Sequence, residues 1–587
     1  MTATKFNPEI QLTNASDIEA VFKDLENEYR KPTTAKPSRK ALNELAAGGR
    51  AYKKHDWAGA VKHLLIAWDE LPSDLNLLTL LSHSLVQLGV REQAIGVLEK
   101  AMQHHAPSAE IVSIMLQLAN EMQMFDIAIK IGNILLSLDQ DHANHFVNVA
   151  SAYKSAERYD EAIDLCKVAL SKFPEHAGLW NILAVSVNLR DGEGSGNVFF
   201  EEALRLDPEN VNFLSNMAQS LVNQNQNERA MEFDRAAIKA APDAPEPHLG
   251  LAMICFCLGE MKEAWEHYDY RLDTRRSYLQ VQTYTHKLPD WGGRDLTGKT
   301  LLVASEQGIG DEVMFGNFLP FLYERAEKLV IGCATRLVPL YKRRFPNALV
   351  CTAVDKIQSG YRYRSFPEAE FAMRDGELHV DYAAQLASAA RYDWLKPEDI
   401  KPHPEGFLTP DPERDAEFKD RLASVSAKPR VGIAWRSGNV SGVRRRYYPE
   451  VANFKPLMDL AEHVDFVNLQ YADAEEDIRL IKEKYGVDII SFEDVDLKND
   501  IEANLAIMNN CDLVLSVASA PAQFAIAIGV STVVMGTHDH WWRFGNKESK
   551  VSFAKDAEIV LSDEAYDWSQ AVERSAKRIA ERLNLPS

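Results

Sequence analysis

A period of 34 residues runs through the first half of the chain and limits what it can fold into. Aligning on one small residue gives Ala60, Ala94, Ala128, Ala162, Gly196, Ala230 and Ala264, seven registers without a gap. Twelve positions earlier stand Gly48, Ser82, Leu116, Ala150, Ala184, Ala218 and Ala252, again nearly all small. Seven positions later come Ala67, Ala101, Leu135, Ala169, Ala203 and Ala237. Pro72, Pro174, Pro208 and Pro242 close several units, with Pro107 one place late. Small residues at fixed offsets let the two helices of a hairpin approach closely, and proline ends the second. The fifth unit breaks the pattern. DGEGSGNVFF puts glycines at 192, 194 and 196, which predicts a second helix that starts late.

The period and offsets resemble the tetratricopeptide repeat (TPR), a helix–turn–helix unit. Over residues 41–274 this implies about seven repeats stacked into a superhelix with a concave groove. Asn148 and Asn216 share one register, two repeats apart. The resemblance to the arrays of protein O-GlcNAc transferases implies that they contact an acceptor peptide; the alternative is a solvated polar face. Residues 1–40 are polar and end in RKPTTAKPSRK, which reads as a segment and linker with a short helix around 16–29.

At 587 residues the chain is too long for one core, so three or more domains are expected. A formal charge of −21 argues against nonspecific nucleic-acid or anionic-membrane binding over the whole surface. No apolar run is long enough for a bilayer span, and MTATKFNPEIQLTNASDIEA lacks the features of a signal peptide. A cytoplasmic location is expected. Cys166, Cys255, Cys257, Cys333, Cys351 and Cys511 are scattered without zinc spacing, so they read as free thiols, and no metal is expected.

Beyond residue 298, apolar runs alternate with helical stretches: 301–304, 328–333, 348–352, then 430–435, 464–470, 488–492, 511–517 and 530–536. That alternation predicts parallel sheets of the doubly wound kind. KPHPEGFLTPDPE at 401–413 splits the pattern into two Rossmann-like domains, 275–410 and 411–587, facing across a cleft. The stretch 563–585 reads as an outer helix.

The turn SEQGIGDEVMFGNF at 305–318 follows the first strand. A dinucleotide fingerprint needs a small residue where Val313 stands and an acid near 330–334, and neither is present. A P-loop is excluded because no Gly-Lys-Ser/Thr follows. What remains is a glycine turn presenting Asp311 at a helix N-terminus, where the dipole is expected to hold it as an anion. The alternatives are a base and a helix-capping acid. Glu312 is expected to point away.

The segment LPDWGGRDLTGKTLLVASEQGIGDEVMFGNFLPFL resembles the opening of the catalytic domain in bacterial TPR-containing glycosyltransferases related to the heptosyltransferases, which have the GT-B fold. Their E-Q-G-x-G-D core is matched by Glu306, Gln307, Gly308, Gly310 and Asp311. VGIAWRSGN (431–439) and RRRYYP (444–449) are similar to the family's turn and basic segment, with Arg446 on its cation position. The resemblance covers roughly residues 285–545 in patches. It departs at Ser516–Gln523, where Ala518 and Gln523 stand in place of an aspartate and a histidine.

The resemblance implies a metal-independent, inverting enzyme that needs no cofactor and takes a nucleotide sugar as substrate. Asp311 would be the general base. Gly308 and Gly310 would set it at the cleft and are counted with the donor side. Arg436, Gly438, Asn439, Arg446, Ser516, Ser519, Ala520 and Gln523 would bind the donor. Layouts of this kind resemble alphaproteobacterial flagellin glycosyltransferases, which implies a flagellin acceptor and a CMP-linked nonulosonic acid such as pseudaminic acid. The alternatives are a donor of the nucleotide-diphosphate type or a catalytically degenerate scaffold.

Overall fold

The computed structural model describes residues 36–586, apart from 106–107, 274, 277–281, 359–360, 404, 426, 439–441, 472, 539–540, 542–543 and 547–548. The expected helix around 16–29 lies outside the described residues, as do Pro107 and Asn439. The chain forms two compact units, residues up to 213 with 356–363, and residues 214–355 with 364–587. The division falls before the end of the repeat period at 274, so compactness groups the last repeat helices with the parallel sheets.

Unit 1 holds helical hairpins. Its helices are Arg39–Lys53 (α1), Trp57–Trp68 (α2), Leu75–Gln87 (α3), Arg91–His104 (α4), Ala109–Glu121 (α5), Phe125–Leu138 (α6), Ala143–Ser155 (α7), Tyr159–Lys172 (α8), Ala177–Asp191 (α9) and Asn197–Leu206 (α10). The aligned Ala60, Ala94, Ala128 and Ala162 are fully buried. The approach is close enough that a methyl on Gly48 of α1 would stand 2.7 Å from Leu64 Cγ of α2. In the fifth hairpin the second helix does start late. α10 has 10 residues where α8 has 14. Gly196 caps α10, donates its N–H to Asn188 Oδ1 at 2.6 Å, and has no room for a side chain, since a methyl would lie 2.2 Å from Ala184 O. Between α6 and α7, the Asp139 carboxylate takes in both His142 and His145, at 2.5 and 3.8 Å from their Nδ1 atoms.

Unit 2 opens with four more helices, Val211–Asn223 (α11, which begins at the unit boundary), Asn227–Ala240 (α12), Pro245–Leu258 (α13) and Met261–Tyr268 (α14). Asp234 of α12 is buried and forms no hydrogen bond or ion pair with a described residue. Gly250 of α13 makes room for it, because a methyl there would meet Asp234 Oδ2 at 2.6 Å. Burial pushes the Asp234 carboxyl up to about 8.

Two parallel sheets follow in the same unit. The first contains Thr300–Ala304 (β1), Lys328–Cys333 (β2), Leu349–Thr352 (β3) and Tyr382–Gln385 (β4), in the order β3-β2-β1-β4. The second contains Arg430–Ala434 (β5), Asp465–Asn468 (β6), Ile489–Ile490 (β7), Leu513–Val517 (β8), Thr532–Gly536 (β9) and Ala557–Leu561 (β10), in the order β7-β6-β5-β8-β9-β10. Every pairing in both is parallel. In each sheet the winding reverses beside the first strand, between β1 and β4 and between β5 and β8. The eight apolar runs are all strands. The proline-rich stretch at 401–413 is packed rather than loose: Phe407 and Leu408 are buried, and Leu408 N–H donates to Ala527 O at 2.9 Å. The helix Trp568–Arg582 lays Trp568, Ala571, Val572, Ala576 and Ile579 on the second sheet's core.

Asp234 sets a pH dependence of stability. An acid whose pKa is raised in the fold keeps protons that the unfolded chain releases, so stability falls as pH rises from about 4 to about 8. Asp234→Asn, which cannot ionise, is expected to unfold later than the parent at pH 8 and to lose that advantage near pH 4, as read by thermal unfolding of the two proteins across that range.

Candidate functional site

The turn after β1 leads into the helix Ile309–Gly316 (α15), and the turn after β8 leads into Ala520–Ala527 (α16). Both helices start at the carboxyl ends of strands flanking a reversal of winding, the place where open α/β sheets bind ligands. They also meet. A methyl on Gly310 would stand 3.5 Å from Ala520 Cα, in ordinary contact.

Asp311 lies in the first turn of α15. Gly308 is the N-cap and receives no side-chain capping bond, so Asp311 is not a capping acid. Its carboxylate is open to solvent and forms no hydrogen bond or ion pair with a described residue. Protein nevertheless makes up most of its surroundings. The lost hydration, with repulsion from Glu306 added and attraction to Arg271 opposing, raises its pKa to about 6. The helix dipole favours the anion and desolvation disfavours it, and the raised value reflects the desolvation. The glycines also act differently from expectation. Neither Gly308 nor Gly310 has a positive φ, so they serve by bareness: a methyl at 308 would press on Asp311 Oδ2 at 3.2 Å.

Beneath the turn lies a buried ionic network. Arg271 donates to both Glu306 oxygens, at 3.0 and 3.3 Å, and to Ser388 Oγ and Asp269 Oδ1, each at 3.0 Å. Glu306 Oε1 also accepts the Ala387 N–H at 2.9 Å. Arg364 bonds Ser305 Oγ at 2.9 Å and the Glu306 carbonyl, and pairs with Asp355. Glu312 points away as expected. It is buried, accepts the Ala334 N–H at 3.1 Å, and burial pushes it up to about 8.

A small pocket of about 100 Å³ opens where the two helices begin, lined among others by Ile309, Arg336, Tyr471, Lys498, Asn504 and Ala520. Arg336 donates to the Lys498 carbonyl. Tyr471 Oη accepts the Gly438 N–H at 3.0 Å and lies 3.1 Å from Ser437 Oγ, joining the turn after β5 to this pocket.

The expected donor residues are thus divided. Gly310 and Ala520 meet at the cleft, and Gly438 reaches it through Tyr471. Ser519 is the N-cap of α16 but turns its hydroxyl to Val517 O at 3.3 Å, and Ser516 Oγ does the same at 2.8 Å. Gln523 is buried with neither amide atom hydrogen-bonded. It shares the helix face of Ala520, three residues before it. Arg436 is spent elsewhere: it pairs with Asp477 at 2.8 Å, bonds the Asp473 carbonyl, and lines a separate cavity of about 450 Å³ with Arg445 and Tyr448. Arg446 sits half-buried in the turn Gly442–Tyr447, and its carbonyl accepts Trp568 Nε1–H at 2.8 Å. Asn148 is exposed on α7 of unit 1, and Asn216 is half-buried on α11 of unit 2. Arg271, Arg336, Arg364 and Lys498 escaped the sequence reading. Arg271 stands in WEHYDYRLD at the end of the repeats, where a lone arginine among aromatics and acids was the available signal.

The fold and site define a protein of helical hairpins joined to two doubly wound parallel sheets, with a free carboxylate where helices from the two sheets meet. It is 34% identical over 411 residues to Protein FlbA of Caulobacter vibrioides (strain ATCC 19089 / CIP 103742 / CB 15), over 68% of this chain and 67% of that protein. The chain belongs to the FlbA family. No protein-family model matches it. Among solved structures it is similar to a tetratricopeptide repeat protein from Parabacteroides merdae (17% identity, TM-score 0.33, 39% of this chain and 91% of that one) and to pilF of Pseudomonas aeruginosa (19%, 0.27, 34% and 90%). No helix among the described residues is long and apolar enough to cross a membrane.

The ion pair beneath the turn has a measurable signature. Arg271→Met leaves the buried Glu306 carboxylate without a cation and is expected to cost about 3–5 kcal/mol, whereas Glu306→Leu leaves Arg271 paired with Asp269 alone and is expected to cost less. The double variant should cost clearly less than the sum, as read from urea unfolding in a double-mutant cycle.

Proposed function

We propose that this chain is a cytoplasmic protein glycosyltransferase of the GT-B kind. The observation that carries the reading is Asp311: an unbonded carboxylate with a pKa near neutrality, in a cleft where two helix N-termini meet. A general base works best with a pKa close to the operating pH and a free lone pair for the incoming hydroxyl proton, and Asp311 meets both conditions. The acceptor hydroxyl belongs to Ser or Thr of a protein held by the repeat helices; flagellin is the acceptor we assign. The donor is a CMP-linked nonulosonic acid of the pseudaminic type. As the glycosidic bond to phosphate breaks, charge grows on the leaving nucleotide. The uncapped N–H groups of α16 suit that charge, with Arg446 in support. The unbonded Gln523 amide is a ready contact for the donor. No step calls for a metal or a further cofactor.

Incubating the protein with flagellin and CMP-pseudaminic acid should raise the intact mass of flagellin by whole sugar units. A mass increase from a UDP-sugar instead would overturn the donor assignment, and none from either would overturn transfer itself. Asp311→Asn should slow transfer by about a hundredfold or more. The base acts only when ionised, so kcat/KM of the parent should fall tenfold per pH unit below about 6 and level off above it. A profile flat down to pH 5 would remove Asp311 from the role.

A further inference from the structure

Asp139, His142 and His145 gather at the turn between α6 and α7, in unit 1. One ligand atom from each lies within 4.8 Å of the others. The Asp141 N–H donates to Asp139 Oδ1 at 2.8 Å and leaves Oδ2 facing the two imidazoles. The His142 side chain is 70% exposed and that of His145 only 15%.

Neither histidine does what its register does elsewhere in the array. The two repeats on either side place Leu77, Ile111, Leu179 and Phe213 at the register of His145, and all four are buried. A histidine there gives up apolar burial. Hydrogen bonding does not make up for it: Nδ1 stands 3.5 Å from the Asp139 carbonyl and 3.8 Å from Oδ2, the first at the limit of a bond and the second beyond it. At the register of His142 the same repeats place Asp74, Ser108, His176 and Asn210. Each accepts the N–H of the residue three further on and so caps its helix. His142 heads α7 without a capping bond and points Nδ1 at Asp139 instead, at 2.5 Å. Both side chains converge on one carboxylate oxygen.

A shared ligand accounts for both departures. Two imidazole nitrogens and a carboxylate oxygen suit a divalent ion of the zinc class, whereas calcium and magnesium take sets of oxygens. Zinc stands about 2.0–2.2 Å from such atoms, which sets them about 3.3–3.5 Å apart, and the exposed His142 is free to swing out that far. Lys172 of α8 reaches the same turn, but Asp141 Oδ1 at 2.6 Å and the Gln140 carbonyl at 3.0 Å hold it. We infer that Asp139 Oδ2, His142 and His145 bind one divalent transition-metal ion of the zinc class, with a fourth position left to water. The ion joins the end of α6 to the first turn of α7 and so pins one hairpin to the next. Its sequence signal is D-x-x-H-x-x-H at 139–145, which cysteine spacing does not reveal. The site stands apart from the transferase reading and carries no step of it.

Titration of zinc chloride into the metal-free full chain, followed by calorimetry, tests the site. The parent should bind one equivalent more than His145→Leu, with micromolar affinity or better, and excess calcium chloride should leave that equivalent bound. His145→Leu has the residue type of the neighbouring repeats, so without metal it should unfold at or above the parent's thermal midpoint. Zinc should raise the midpoint of the parent and not that of His145→Leu or His142→Ala. His176→Ala, at the register of His142 one repeat on, should keep the full zinc stoichiometry. Should His145→Leu fail to fold, His142→Ala, at an exposed position without a capping bond, gives the same comparison. The inference falls if parent and variant take up equal numbers of zinc ions, if zinc shifts their midpoints alike, or if calcium displaces the zinc.

Discussion

The ion pair between Arg271 and Glu306 is the contact on which the site depends. Both side chains are buried, so each carries a large desolvation cost that only the other, with well-formed hydrogen bonds, offsets. The bonds are present. Arg271 reaches Glu306 with two nitrogens and spends the rest on Asp269 and Ser388, while Glu306 also takes the Ala387 N–H. The pair thereby fastens the chain just beyond the last repeat helix to the turn after β1 and to the helix Leu386–Ala390. Five residues after Glu306, Asp311 emerges from that fixed turn. The same charges tune it, Glu306 raising its pKa and Arg271 lowering it. A pair that contributes little net stability can still decide where a carboxylate points and when it titrates.

Topology explains why the free carboxylate and the cation pocket fall together. A parallel sheet that winds both ways must leave a gap beside its first strand, and the helix that follows that strand starts at the gap. The first sheet puts the start of α15 there, and the second puts α16 beside its own reversal, between β5 and β8. Gly310 and Ala520 are both small, which lets the two helix starts come within contact. Larger residues at either place would hold the helices apart and open the pocket to bulk water, where its cations would be screened.

The repeat helices were legible because their signal is local and periodic: a small residue every 34 positions is read straight off the chain, and even the late start of α10 follows from three glycines. The apolar strands were legible as runs of Val, Ile and Leu. Strand β4, YAAQ, was missed because it has no β-branched residue and is only four long; β10, AEIVL, was masked by the acids around it. The site was half legible. Gly308, Gly310 and Asp311 sit within one motif, but Arg271, Arg336, Lys498 and Asn504 reach it from segments far apart in sequence. Each taken alone reads as an ordinary surface or capping residue. Arg436 shows the converse, since its place in a motif-like turn suggested ligand binding while its neighbour Asp477 claims it.

The acidity of the chain limits where it can hold an anion. At a formal charge of −21 the protein repels small anions at long range, and salt screens that repulsion only beyond about 8–10 Å. Any anion held by such a chain is therefore held at contact distance, by cations that no carboxylate of the protein has already neutralised. Most arginines in this fold are so neutralised: Arg271, Arg343, Arg364, Arg414, Arg421 and Arg436 all hold acids. Arg336 and Lys498, which line the small pocket, form no ion pair with a described residue. The meeting of the two helix starts, at Gly310 and Ala520, is where that pocket opens and where Asp311 stands without a hydrogen bond.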